Sequence, residues 1–403
     1  MFVPRFARGL CAAAVVLCSA SASAQGRVSY VQALSLAKQH APGVAVARAT
    51  EGVAEADSRA GGLYPNPILS AGTSTQTARL SVGASVPLLI LGQRGAALDA
   101  GRAELSVAKL DTQVSLAEVR AGTGHAFVTL WLAERTADAR AEAATISRKL
   151  ESAVNGRVEL GSSPEIERLR ANAEALRADL DSRAAADLVD AASTQLAAWM
   201  GADLEQALRV ADAPQVPTQA PTLEALRQQV TANPGVLRAT AEVRASEARV
   251  ANERAQVRPL LTLDLGADMY DPTLPAANYR AQLGVEMPIF NQRGPLVERE
   301  QRRATVARSR ASAEQVRLSA ALIVAYRTFG ALSQQARTLA DGVVPAAVAA
   351  ARATEESYTL GRAPLVAVLD AERARIDAQL SLIESQAALA NAWIDVELAL
   401  GVQ

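Results

Sequence analysis

The chain has 403 residues, a formal charge of −1, 3% aromatic residues and two cysteines, Cys11 and Cys18. So balanced a charge offers no basic excess for nucleic acid. A chain without cysteine beyond residue 18 also excludes structural disulfides, thiolate metal sites and cysteine nucleophiles from everything that follows. Scarce aromatics and abundant alanine suit long, close-packed helices better than globular cores.

Arg5 and Arg8 precede an apolar run, Leu10 to Leu17, and Ala22-Ser23-Ala24 supplies the small-x-small spacing of a signal-peptidase site. Residues 1–24 therefore read as a cleaved secretory signal, and without the two arginines the formal charge falls from −1 to −3. The run is too short for a membrane anchor, which needs roughly 20 apolar residues. A leucine before each cysteine argues against lipidation. Beyond the leader no apolar run approaches a transmembrane helix, so any entry into a membrane would be as strands.

A first structural repeat is expected over 25–210. It opens on a helix at Val31-Gln32-Ala33-Leu34 with Ser29 and Gln32 placed as a capping box, and Pro42-Gly43-Val44 interrupts that helix. A β-hairpin follows at about 67–87. There Leu80, Val82, Ala84 and Val86 alternate with Arg79, Ser81, Gly83 and Ser85, and Pro87 is expected to end the strand. From Ala96 to Asn155 only isolated glycines interrupt a helical composition, which predicts a rod of roughly 60 residues, or about 90 Å. Leu160-Gly161-Ser162-Ser163-Pro164 marks a turn, with the tip near 156–164. The next helix carries apolar residues at Ile166, Leu169, Leu176, Leu180 and Leu188.

Residues 211–222, with Pro214, Pro217 and Pro221, read as a linker. The same landmarks then return over 223–403. Leu223-Glu224-Ala225-Leu226 and Pro234-Gly235-Val236 recur 192 residues after their counterparts, and Leu360-Gly361-Arg362-Ala363-Pro364 recurs 200 after the first turn. A period near 200 is a domain duplication rather than a solenoid repeat. The second hairpin, at about 259–288, has the clearer pattern. Leu261, Leu263, Leu265, Ala267 and Met269 alternate with polar residues, as do Tyr279, Ala281, Leu283, Val285 and Met287 after Asp-Pro-Thr-Leu-Pro. Gln292-Arg293-Gly294 repeats Gln93-Arg94-Gly95, and the second tip falls near 358–364.

The inventory for catalysis is poor. His40 and His125 are the only histidines and stand on separate helical segments without a cysteine or carboxylate motif, so structural roles are expected for both. Gly122-Thr123-Gly124 sits inside a helix with no preceding strand and fits close helix packing better than a phosphate loop. Met200, Met269 and Met287 are scattered packing residues. Neither an enzyme, a cofactor nor a protein-bound metal is expected. Two readings of the hairpins remain: a small soluble sheet lying on the helices of a periplasmic coiled-coil scaffold, or strands of an outer-membrane barrel, apolar toward lipid and polar toward a lumen. Four strands cannot close a barrel, so the second reading requires several copies of the chain.

Over essentially the whole mature length the sequence resembles the TolC family of outer-membrane efflux and secretion channels. The residues that carry this are Val86-Pro87…Gln93-Arg94-Gly95, Met287-Pro288-Ile289-Phe290…Arg293-Gly294, and Tyr358-Thr359-Leu360-Gly361 with Val368-Leu369-Asp370-Ala371. The Pro-Leu…Leu-Gly-Gln-Arg-Gly form at 87–95 looks most like the heavy-metal cation efflux (CzcC) branch. The resemblance implies a mainly helical chain with a membrane β-barrel. It also implies a homotrimer in which three sets of four strands form a twelve-stranded barrel continued by a helical tunnel, docked on a periplasmic adaptor and an inner-membrane pump of the resistance-nodulation-division class. Efflux of organic compounds and type I protein secretion stay open as alternatives within the family.

Carried over residue by residue, the resemblance implies lipid-facing Leu263, Leu265, Leu283 and Val285, and adaptor docking at Leu160, Gly161, Leu360 and Gly361. It implies a periplasmic gate at Glu167, Tyr358, Arg362 and Asp370. Two departures mark the gate: Ala367 stands where a second aspartate is usual, and Arg362 falls one residue short of the usual arginine.

Overall fold

The computed structural model describes residues 26–73, 79–270 and 277–403. The expected signal segment and both hairpin turns, including Asp271 to Pro275, lie outside the described residues.

Strand β1 (Arg27–Val28) leads into α1 (Tyr30–His40). The capping box forms as the sequence predicts: Gln32 N donates to Ser29 Oγ at 3.2 Å and Ser29 N to Gln32 Oε1 at 3.1 Å. Pro42 then starts α2 (Pro42–Ala60) at the first helical position, where its missing N–H costs nothing. Strands β2 (Ile68–Gly72) and β3 (Leu80–Leu88) precede α3 (Gln93–Glu159), whose 67 residues span about 100 Å. Helix α4 (Glu165–Met200) returns antiparallel to it, and β4 (Arg209–Val210) pairs in parallel with β1.

The second half repeats this order: α5 (Leu223–Gln229), α6 (Pro234–Ala255), β5 (Leu260–Met269), β6 (Asn278–Glu286), α7 (Gly294–Thr338), a π turn (Leu339–Val343), α8 (Val344–Thr359) and α9 (Leu365–Leu400). Each half thus holds a long descending rod and a 36-residue ascending helix.

Strand β3 runs through Pro87 to Leu88, where the alternation predicts an end at the proline. The reason lies in the neighbours. Strand β2 has already finished, its last pair being Ile68 with Ser85, so Pro87 faces a ladder only toward Thr262 of β5. This β3–β5 pairing joins the two hairpins into one antiparallel sheet in the order β2-β3-β5-β6.

The helices pack through small residues. An added Cβ at Gly122 would come 2.4 Å from the Trp199 ring, and one at Gly124 would come 3.0 Å from Ile394, so Gly122-Thr123-Gly124 serves helix packing. Tyr30 lies edge-on to Phe127 with ring centroids 5.3 Å apart, in a core shared with Leu130, Val189, Leu196 and Met200. Burial and the nearby Glu397 carboxylate push the Tyr30 phenol up to about 12. Polar ties hold α3 to α9 along their length: Arg120 to Glu397 at 3.1 Å, His125 Nδ1 to Asn391 at 2.9 Å and Nε2 to Asp395 at 3.1 Å, and Arg375 to Glu142 at 3.4 Å. His125 is thereby a structural tie. Among the described residues, no helix is long and apolar enough to cross a membrane.

Candidate functional site

Two regions at opposite ends of the helical rods carry the predicted functional residues. The first is the sheet. Its register places Leu88, Leu261 and Val285 in one row, then Val86, Leu263 and Leu283, then Leu69, Ala84, Leu265 and Ala281, then Ala71, Val82, Ala267 and Tyr279, and last Leu80 and Met269. Side chains alternate across a strand, so these rows share one face, and every member is apolar or aromatic. Leu265, Leu283 and Val285 are exposed on it, while Leu263 is half-buried because Val86 and Leu283 flank it.

The other face holds Ser81, Ser85, Asp264, Asp268, Asn278, Arg280 and Gln282. Its groups bond one another: Ser81 Oγ donates to Asp268 at 2.9 Å, and Arg280 contacts the same carboxylate at 3.2 Å. Neither face lies on the helices as a covered core. Strands β2 and β6 each have one ladder edge unpaired within the chain.

The second region is the pair of tips. At the first, Ser162 N donates to Arg157 O at 2.8 Å and Gly161 N to Val158 O at 2.9 Å. At the second, Arg362 N donates to Ser357 O and Gly361 N to Tyr358 O, both at 2.9 Å. These are paired Schellman closures, and they require φ > 0 at the glycine. Gly161 and Gly361 both have φ +71. Each turn pushes a leucine into solvent, Leu160 at 84% and Leu360 at 67% exposure, and Pro164 and Pro364 then begin the ascending helices.

Above the turns the two tips lock together. Tyr358 is only 5% exposed, packed with Val154, Ala171, Leu365, Val368 and Leu369. The Arg157 guanidinium stacks 4.7 Å from its ring centroid and donates to its carbonyl at 3.3 Å. The Tyr358 hydroxyl is sheltered without a hydrogen-bond partner. Burial raises its pKa, and the Glu167 carboxylate adds to the rise while Arg157 opposes it.

Higher up, Arg373 of α9 bonds both oxygens of Glu174 on α4, which holds that carboxyl below its ordinary range. Arg373 also lies 3.8 Å from Asp370, an exposed residue, and Arg362 is exposed at the turn. The structure therefore sets Glu167 where its charge reaches the Tyr358 phenol, leaves Asp370 and Arg362 at the surface, and adds Arg157, Glu174 and Arg373, which the sequence reading missed. Arg157 carried one usable signal: it stands opposite Ser357 in the repeat alignment, next to the Val158–Tyr358 pair, where the halves diverge. Among the described residues, no cluster of three or more His, Cys, Asp or Glu side chains could hold a metal ion.

Long helical hairpins beneath a two-faced sheet with open edges make up the described chain, an arrangement shared with solved outer-membrane channels. Comparisons with known proteins agree. The family model described as outer membrane efflux protein matches residues 225–402. The cobalt-zinc-cadmium resistance protein CzcC of Cupriavidus metallidurans is 26% identical over 346 residues, 81% of this chain and 80% of that protein. Among solved structures, CusC superposes with TM-score 0.76 at 16% identity, covering 92% of this chain and 91% of that one. VceC of Vibrio cholerae gives 0.75 at 17% identity, covering 92% and 96%. The second half of the chain matches the outer membrane efflux protein family, and the fold of the whole is that of CusC and VceC.

Proposed function

We propose that the chain is the exit duct of a tripartite efflux assembly and that its cargo is divalent heavy-metal cations. The observation that carries the duct reading is the sheet: a wholly apolar face, a hydrogen-bonded polar face and two unpaired edges. In hydrocarbon every backbone polar group needs a partner, so such a sheet is stable there only as part of a closed barrel. Three copies would supply twelve strands, β6 of each pairing with β2 of the next, with Leu263, Leu265, Leu283 and Val285 toward lipid. The helical rods would continue the lumen through the periplasm, reached by way of a signal segment at 1–24. The two halves of the protomer, 25–210 and 223–403, would be products of a tandem duplication.

At the far end, the solvent-exposed Leu160 and Leu360 on their glycine turns suit docking to a periplasmic adaptor, itself bound to an inner-membrane pump. Glu167, Tyr358, Arg362 and Asp370 would form the periplasmic gate. Under three-fold symmetry Asp370 becomes a ring of three exposed carboxylates, which favours cations without holding them tightly. The metal cargo rests on the likeness to the cobalt-zinc-cadmium resistance protein, and the choice among metals would lie in the pump.

The test is a deletion strain scored for growth on cobalt, zinc, cadmium, nickel, copper and silver salts beside detergents and dyes. Selective sensitivity to metals, restored by the wild-type gene and not by Leu360→Asp, is expected. Sensitivity confined to detergents and dyes would redirect the cargo assignment. Recovery of the protein in the soluble periplasm, without a heat-modifiable oligomer, would remove the duct.

A further inference from the structure

Between the start of the long rods and the tips the two halves differ by one residue, and the place of that difference can be located. Gln93-Arg94-Gly95 and Gln292-Arg293-Gly294 open the long rods 199 residues apart, whereas the tip glycines Gly161 and Gly361 are 200 apart. Buried positions date the change. Val119 and Leu318, Thr123 and Leu322, Ala126 and Ala325, and Leu130 and Phe329 are buried pairs, all at a spacing of 199. In the ascending helices Ala192 and Ala392, and Leu196 and Val396, are buried pairs at 200. The extra residue of the second half therefore enters between Phe329 and Leu360.

The π turn Leu339–Val343 lies in that interval, and α3 runs through the matching stretch as uninterrupted α-helix. An extra residue in an α-helix would rotate everything beyond it by about 100° and advance it about 1.5 Å. Tyr358 would then turn off Arg157 and out of its pocket. A π turn closes its hydrogen bond over five residues instead of four, so it takes up one residue and leaves the flanks in phase. The surroundings permit it there: no residue of Leu339–Val343 is buried, and a Cβ on Gly342 would meet nothing within 4 Å. At the same height in α3, Ala143 and Ala144 are buried, and a bulge would collide with its neighbours.

We propose that the π turn at Leu339–Val343 absorbs a one-residue insertion in the second repeat and is the positioning element that seats Tyr358 against Arg157. It sets the rotational phase of α8, and with it the contact between the two tips. Deleting Gly342 turns the bulge into ordinary α-helix with both flanks in place. Deleting Ala139 from α3, where no bulge exists to absorb the loss, swings Arg157 away.

The chain has no cysteine after Cys18, so engineered cysteines report this register cleanly. Arg157→Cys with Tyr358→Cys, treated with a short bifunctional maleimide, should crosslink in the parent and, within about twofold, in the Gly342 deletion. The Ala139 deletion should lose at least tenfold. Crosslinking lost in the Gly342 deletion, through rotation or through misfolding, overturns the proposal, as does parental crosslinking in the Ala139 deletion. The readout concerns helix phase in the folded chain and decides the matter whether or not the protein exports metals.

Discussion

The sheet and the tips solve opposite problems with similar element orders in the two halves of the chain. In the sheet the apolar residues share one face and the charged ones bond each other on the opposite face: Leu283 is exposed, while Asp268 is tied to Ser81 and Arg280. At the tips the apolar residues close inward around Tyr358, and Glu167, Arg362 and Asp370 edge the surface. One end thus leaves its apolar face uncovered, and the other buries its apolar residues. At the turns themselves an apolar residue faces water in both halves, at Leu160 and Leu360.

The largest effect should come from inverting the sheet's pattern. An arginine at the mid-bilayer lipid face of a barrel costs about 2–4 kcal/mol. Under the proposed trimeric barrel, Leu283→Arg should therefore abolish heat-modifiable trimers in the outer membrane. Gln282→Arg, one residue away beside Asp264, should leave them at wild-type levels, because that side chain joins the polar face. Equal tolerance of both substitutions would break the distinction between the two ends.

Next in size is the tip backbone. Gly161 and Gly361 share φ +71, and nothing crowds a Cβ at either, so the cost of alanine is conformational alone, about 1–2 kcal/mol. Gly161→Ala and Gly361→Ala should lower stability to chemical denaturation by equal amounts. Unequal losses would show that the two turns, alike in hydrogen bonding, differ in what they support.

How much of this the sequence disclosed follows the range of the interactions. The capping box at Ser29, the strand alternation around Leu263 and Leu283, and the glycine turns at 161 and 361 depend on residues within a few positions of each other, and each is legible. The extension of β3 through Pro87 depends on where β2 stops and on a partner 175 residues away, Thr262. The stacking of Arg157 on Tyr358 and the pairing of Glu174 with Arg373 join residues about 200 positions apart. Local pattern carries no information about such contacts. Comparing the two halves does, since Val158 stands against Tyr358 and Arg157 against Ser357, and these unlike residues meet across the tips.

A smaller effect is expected from separating the two contributions of Tyr358. Its ring is packed and capped by Arg157, an interaction worth about 0.5–2 kcal/mol, whereas its hydroxyl has no partner. Under the proposed gate, Arg157→Ala should raise resting conductance in planar bilayers, and Tyr358→Phe alone should leave stability unchanged or slightly higher. A large loss from Tyr358→Phe would mean that the hydroxyl is bonded in the assembled channel.

The smallest effect concerns pH. Hydrogen bonds from Arg373 hold the Glu174 carboxyl below its ordinary value of 4.5, outweighing the opposing effect of partial burial. A depressed carboxylate contributes stability that is complete above its unfolded pKa and is lost as pH falls through its folded pKa. The clamp between α4 and α9 is therefore intact at neutral pH and weakens only below about 4.5. Arg373 is half exposed, so the pair contributes at most about 1 kcal/mol. Glu174→Gln should cost that much at pH 7 and make the melting temperature less sensitive to pH between 5 and 3. A Glu174→Gln protein whose melting curve still tracks the wild type through that acid range would place the acid-sensitive contact elsewhere in the tips.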